Sequence, residues 1–231
     1  SILEYLLGDQ STIPAERGIF LKNTHRLRPS ICRFISDAFY DSRLQAAEGN
    51  SQRALEFDSR LSNVPTLGIH MIPVDHHGCS QKSTEEGAII KEHYQNLLGQ
   101  QFRDKTGEMR PLTVNDILVV TPYNVQVNYL KSILPEGAKV GTVDKFQGQE
   151  APVVLVSMVT SSAEDLPRNI EFLYSKNRLN VAVSRAECLA IIVANPKLLE
   201  IPCKSIEQMK LVNTFCWLNE YSSKPEAGGV K

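Results

Sequence analysis

The chain has 231 residues, 42% of them hydrophobic and 22% charged, with a formal net charge of −1. That is enough for one sizeable core or two small ones, and ordinary for a globular protein. A near-zero charge excludes a bulk basic field, so any contact with phosphates must come from locally placed Lys and Arg. The five cysteines, Cys32, Cys79, Cys188, Cys203 and Cys216, include no Cys-x-x-Cys pair. Such a scattered set suits reduced thiols, as in a cytoplasmic protein or a nuclear one if the source is eukaryotic. No apolar run approaches a membrane span, so no membrane partner is expected.

In chain order, Gly18 to Leu21 is a short strand candidate. Pro29 can open a helix, with Ile31, Phe34, Ile35, Ala38 and Phe39 at helical spacing. Thr66 to Ile72 reads as a strand, and Ser83 with Glu86 has capping-box spacing before a helix that runs to Leu98. Asp116 to Thr121 is a strand, Asn124 to Leu134 a helix, Val153 to Val159 a buried strand and Asn177 to Arg185 a short helix. Leu189 to Ala194 is a strand, and Ile206 to Tyr221 a closing helix. Gln45 to Asn63 and Gln100 to Pro111 read as loops or insertions, Ser161 to Lys176 as a polar, mobile stretch, and Ser222 to Lys231 as a tail. Strands alternating with helices predict an α/β domain with a mostly parallel sheet.

Two strings carry the most information. Val140-Gly141-Thr142-Val143-Asp144-Lys145-Phe146-Gln147-Gly148-Gln149-Glu150 is a strand running into a polar loop. Asn177-Arg178-Leu179-Asn180-Val181-Ala182-Val183-Ser184-Arg185-Ala186 is a short helix that presents Arg185. A guanidinium at such an end can meet a phosphate bidentately and stays charged at any working pH. An isolated Arg there is more often a surface residue. Gly148 permits positive φ and a close backbone approach. Val119-Val120-Thr121-Pro122-Tyr123-Asn124-Val125-Gln126 is a strand-turn-helix junction; Tyr123 is a candidate for packing on a base, and Gln126 can point to solvent. His70, His76 and His77 lie near Cys79, but without paired ligand spacing no metal site is assigned. Trp217 reads as core. Lys176, Asn177 and Arg178 form a small basic cluster able to touch a phosphate, but read first as a solvated face.

Together these strings resemble motifs V and VI of superfamily 1 helicases. The group concerned contains the nonsense-mediated-decay RNA helicase and the Okazaki-fragment nuclease-helicase. Asn23-Thr24-His25-Arg26-Leu27-Arg28-Pro29-Ser30-Ile31, with Phe39-Tyr40 downstream, resembles that group's strand-to-helix motif, and Thr121-Pro122-Tyr123 its Thr-Pro-Tyr motif. An aromatic residue usually precedes this Arg and a His the Pro. Here His25 and Arg28 stand in those places, which leaves Arg26 or Arg28 to face the nucleotide; Arg26 is favoured.

The resemblance implies a RecA-like, P-loop-NTPase-type lobe over residues 1–221, and 222–231 as a flexible tail. No Gly-x-x-x-x-Gly-Lys-[Ser/Thr] occurs in the sequence. Ser1-Ile2-Leu3-Glu4-Tyr5-Leu6-Leu7 resembles the stretch after motif III, so the chain is expected to follow the lobe that binds ATP and Mg²⁺. By resemblance Arg26 and Arg185 are catalytic, Gln147, Gly148 and Glu150 contact nucleotide, and Thr121, Tyr123, Thr142 and Asp144 face a single strand of DNA or RNA. The two arginines are expected to converge along the carboxyl edge of the sheet. The implied partners are the N-terminal RecA-like lobe and that strand, with this chain inactive by itself. The alternatives are an ATP-gated nucleic-acid-binding or signalling module without hydrolysis, and a nuclease-helicase fusion with its nuclease elsewhere.

Overall fold

The computed structural model describes residue 10 and residues 12–57, 64–146 and 148–223. The Ser1–Leu7 stretch, Gln147 and most of the expected tail lie outside the described residues.

The chain opens with β1 (Asn23–Thr24), α1 (Pro29–Phe39), β2 (Gln45–Ala46) and a 3₁₀ turn at Glu48–Gln52. Next come β3 (Ala54–Glu56), β4 (Gly68–Pro73), α2 (Thr84–Leu97), β5 (Gln101–Arg103) and β6 (Met109–Pro111). Then follow β7 (Ile117–Val120), α3 (Asn124–Ile133), β8 (Lys139–Gly141), a 3₁₀ turn at Val143–Phe146 and β9 (Ala151–Ser157). The last elements are α4 (Ile170–Leu173), α5 (Lys176–Val183), β10 (Ala186–Ala194) and α6 (Ile206–Ser222).

Five strands form one sheet in the order β4-β10-β9-β7-β8, and every pairing is parallel. All seven residues of β9 are buried, as both-face coverage demands of a central parallel strand. The two-residue pleat period splits the central strands between two cores. Val154, Val156, Ala190 and Ile192 face α1, α5 and α6 through Ile31, Phe34, Leu179, Val212 and Phe215. Val153, Leu155, Ile191 and Val193 face α2 and α3 through Ile90, Tyr94, Leu97, Val127 and Leu130. The result is the expected α/β architecture, helices on both faces of a parallel sheet.

Three expectations change. Gly18 to Leu21 is not a strand; Ile19 and Leu21 are 89% and 79% exposed, and pairing begins only at Asn23. The stretches read as insertions instead build a three-stranded antiparallel sheet, β3-β5-β6, anchored by buried Leu55 and Phe102 in the second core. Strands of three residues offer too little alternation to be read from sequence. Gln126 does not face solvent. It is fully buried, its Oε1 accepts from Ser83 N at 3.0 Å, and its Nε2 donates to Ser83 O at 2.9 Å.

That last contact alters the capping box. Ser83 Oγ accepts from Glu86 N as expected, but Gln126 takes the Ser83 N–H that Glu86 would otherwise cap. Glu86 is thereby free to turn inward. Its carboxylate meets His76 Nε2 at 3.1 Å, accepts from Ser157 Oγ at 2.6 Å and accepts from Val159 N at 2.8 Å. Val159 has φ +73°, and Thr160 N donates to Met158 O across it at 2.9 Å. A γ-turn of this hand is costly for a β-branched residue and persists only where neighbours enforce it. Glu86→Ala should therefore destabilise the chain by about 3 kcal/mol, because three buried polar groups lose a partner at once. Urea unfolding measures it; a loss below about 1 kcal/mol would show that the turn stands without the carboxylate.

Candidate nucleotide and nucleic-acid site

Arg26 follows β1 in a loop where its backbone N–H donates to Thr24 Oγ1 at 3.3 Å. Its Nε lies 2.5 Å from Glu150 Oε2, and its Nη1 donates to Ser184 O at 3.2 Å. Arg28 turns the other way and donates to the carbonyls of Ser51 and Arg53. Among the described residues it is the guanidinium of Arg26, not that of Arg28, that meets Glu150 and Ser184.

Arg185 lies just beyond α5. Ser175 caps that helix by accepting from Arg178 N, and Ser184 N closes it on Asn180 O. The carbonyl of Arg185 accepts from Ala151 N at 3.1 Å and ties it to the start of β9. The side chain is only 9% exposed, and its Nε is buried without a hydrogen-bond partner. Burial lowers its pKa, and the like charge of Arg26 lowers it further, against the pull of Glu150 and Tyr40. A guanidinium stays protonated nonetheless. The arrangement is a largely buried cation with an unpartnered Nε beside a second cation, and among the described residues no buried carboxylate pairs with it.

The convergence is not where expected. Arg185 and Glu150 immediately precede β10 and β9, so the pair gathers at the amino ends of those strands, not along the carboxyl edge. The reason is the turn after α5, which delivers Arg185 at the entry to its strand.

Thr142 and Asp144 follow the carboxyl end of β8 and line a groove with Gln81, Tyr123, Asn124, Arg168, Phe172 and Arg178. Tyr123 is 5% exposed and stacked on Phe172 with ring centroids 5.7 Å apart, and its hydroxyl meets Thr160 Oγ1 at 3.3 Å. Its ring face is therefore occupied by Phe172, and burial pushes its phenol pKa up. Thr121 is fully buried and does not line the groove; its Oγ1 has no hydrogen-bond partner. Sequence reasoning missed Arg168 and Phe172, which it left in a loop, and it put Arg178 on a solvated face. The two guanidiniums sit over the Phe172 ring at 4.5 and 4.2 Å, and Arg178 lies 3.5 Å from Asp144.

Residues 142–150 join the two regions. Register places Gly141 level with Val120 and Val156, whereas Ala151 begins β9. The segment therefore returns about 15 Å along the strands, from the groove to the arginines. Gly148, with φ +84°, makes a turn that other residues rarely adopt, and no atom lies within 4 Å of where its Cβ would be. Gln147 lies outside the described residues.

His76 is buried, with Nδ1 on Ser161 Oγ at 2.7 Å and Nε2 on Glu86, so neither nitrogen is open to a ligand. Among the described residues no group of three or more His, Cys, Asp or Glu is placed to hold a metal. Trp217 is 36% exposed and packs edge-on against Phe34. Among the same residues no helix is long and apolar enough to cross a membrane.

A parallel five-stranded sheet covered by helices on both faces, with Arg185 and the Arg26–Glu150 pair at the amino ends of β9 and β10, defines a layered α/β domain. The family profile described as "AAA domain" matches residues 1–197, and the chain belongs to that family. It is similar to "Putative helicase mov-10-B.1" of Danio rerio, 32% identical over 209 residues that cover 78% of this chain and 19% of that protein. "Putative helicase MOV-10" of Gallus gallus is 31% identical over 202 residues, 76% of this chain and 20% of that protein. "DNA polymerase alpha-associated DNA helicase A" of Schizosaccharomyces pombe is 34% identical over 185 residues, 72% of this chain and 26% of that protein. The chain thus spans only a fifth to a quarter of the length of these relatives. All three are described as helicases, in agreement with the superfamily 1 resemblance.

A cation buried next to another cation is not there for stability. Arg185→Met, which keeps bulk and removes charge, should leave the thermal midpoint of this chain unchanged or raised. A loss above about 1 kcal/mol would mean that Arg185 is a structural cation instead.

Proposed function

We propose that residues 1–221 form the second lobe of an ATP-dependent nucleic-acid helicase or translocase, with 222–231 a tail. ATP and Mg²⁺ would be held mainly by an N-terminal RecA-like lobe of the same protein. Arg26 and Arg185 would reach across the cleft to the γ-phosphoryl group. Positive charge placed there stabilises the equatorial oxygens as the phosphoryl group transfers.

The observation that carries this reading is the buried, unpartnered Nε of Arg185 beside the charge of Arg26. Among the described residues the Arg26 side chain is held by an exposed pair with Glu150 and by one carbonyl. Exposed pairs are weak, so exchange of that carboxylate for a phosphate is easy. Gln147, Gly148 and Glu150 would then sense the nucleotide. Thr142, Asp144 and the edge of Tyr123 would face a single strand of DNA or RNA, with Thr121 supporting the groove floor. Because residues 142–150 run between the two regions, movement at one end is carried to the other. Closure and opening of the cleft would give a hinge transition that alternates the grip on the strand.

In the intact protein, ATP hydrolysis should be stimulated by single-stranded DNA or RNA. Arg185→Ala should lower kcat by roughly 10³-fold with a much smaller effect on ATP affinity. Near-normal turnover in that variant would remove the finger assignment. ATP binding without any hydrolysis in the unaltered protein would favour the gated binding module, with both arginines as sensors.

A further inference from the structure

We infer that Arg53 is a positioning residue that fixes the spacing between Arg26 and Arg185, an inference that rests on the phosphate-binding reading of those two arginines. Arg53 lies in the stretch that sequence reasoning took for an insertion, directly after the Glu48–Gln52 turn. It is 5% exposed. Its Nη1 donates to His25 O at 3.2 Å, Arg26 O at 2.7 Å and Asn50 Oδ1 at 2.7 Å, and its Nη2 donates to His25 O at 3.2 Å. Its Nε faces the other segment, 3.0 Å from Glu187 Oε2, an ion pair without hydrogen-bond alignment. One rigid guanidinium therefore touches the backbone that carries Arg26 and a side chain two residues beyond Arg185.

The surroundings act in the same sense. Asn50 is 1% exposed, and its Nδ2 donates to Thr24 O at 2.8 Å and Leu27 O at 2.9 Å. With Arg53 it engages the carbonyls of residues 24 to 27 in succession. Arg28 reaches back to the carbonyls of Ser51 and Arg53, so the two segments clasp each other. Arg28 N donates to Glu187 O at 3.0 Å. At Glu187 the register of β10 against β9 shifts by one residue between Ala186 and Leu189, a bulge that aims the start of the strand toward this clasp. Burial pushes the Glu187 carboxyl up in pKa, and Arg53 opposes it.

A buried ion pair is a poor source of stability, since apolar side chains of similar volume serve as well or better. What it supplies is geometry. The planar fork of Arg bonds several carbonyls in one fixed arrangement, which Lys cannot do. Two fingers that must meet one phosphoryl group need such a strut, because displacements of about 1 Å cost rate heavily.

The test is a double-mutant cycle in the intact protein, read as steady-state ATP hydrolysis, with folding checked by thermal unfolding. Arg53→Met should lower kcat by roughly ten- to a hundred-fold, with KM for ATP changed far less. In an Arg26→Ala background the same substitution should have almost no further effect, because no spacing is left to hold. If Arg53→Met does not fold, Glu187→Gln keeps the shape and removes the pairing charge. It should give a smaller fall in kcat that also vanishes in the Arg26→Ala background. Losses that multiply in both backgrounds, or unchanged kcat in folded Arg53→Met, would overturn the inference while leaving the role of Arg26 intact. Normal turnover in Arg26→Ala alone would overturn both.

Discussion

The electrostatic situation of Arg185 is the constraint around which the rest is arranged. A guanidinium with 9% exposure, an orphaned Nε and a like-charged neighbour costs free energy unless an anion completes it. The cap of Ser184 on Asn180 and the link from Ala151 N to Arg185 O hold the residue at the entry of β10. The parallel sheet sets β9 alongside, which brings Glu150 and, through it, Arg26 to the same edge. The site is thus assembled by strand entries, with helix packing on both faces making those entries rigid.

The second organising feature is the connection between β8 and β9. Parallel strands usually need a helical crossover, yet residues 142–150 make this passage with one 3₁₀ turn and a glycine at positive φ. This short link joins the groove lined by Thr142 and Asp144 to the salt bridge of Glu150 with Arg26. On the proposed reading it would be the route by which nucleotide state reaches a bound strand.

Much of this was legible in the residues, and the failures have causes. Long buried strands and capped helices were readable because their patterns extend over many residues: β9 with seven buried positions, and α2 with its Ser83 cap. The strings around Glu150 and Arg185 announced themselves as motifs. The sequence favoured Arg26 over Arg28 only by resemblance; the carbonyls of Ser51 and Arg53, which draw Arg28 away, are not legible in it. Arg53, Asn50 and the β3-β5-β6 sheet were hidden in stretches without periodicity. Gln126 was misjudged because its partner, Ser83, is a long-range one. The edge of the sheet at which the arginines meet was also misplaced, since local sequence does not say whether a residue ends one element or begins the next.

The most direct test of the account is a crystal structure of the intact protein with ADP and a fluoroaluminate group in place of the transferring phosphoryl. The account predicts that Nε of Arg185 and the guanidinium of Arg26 both lie within hydrogen-bond distance of the fluoride ligands, with Arg26 released from Glu150. A structure in which ADP-fluoroaluminate is bound, the lobes are closed, and Arg185 still has no anionic partner would contradict it.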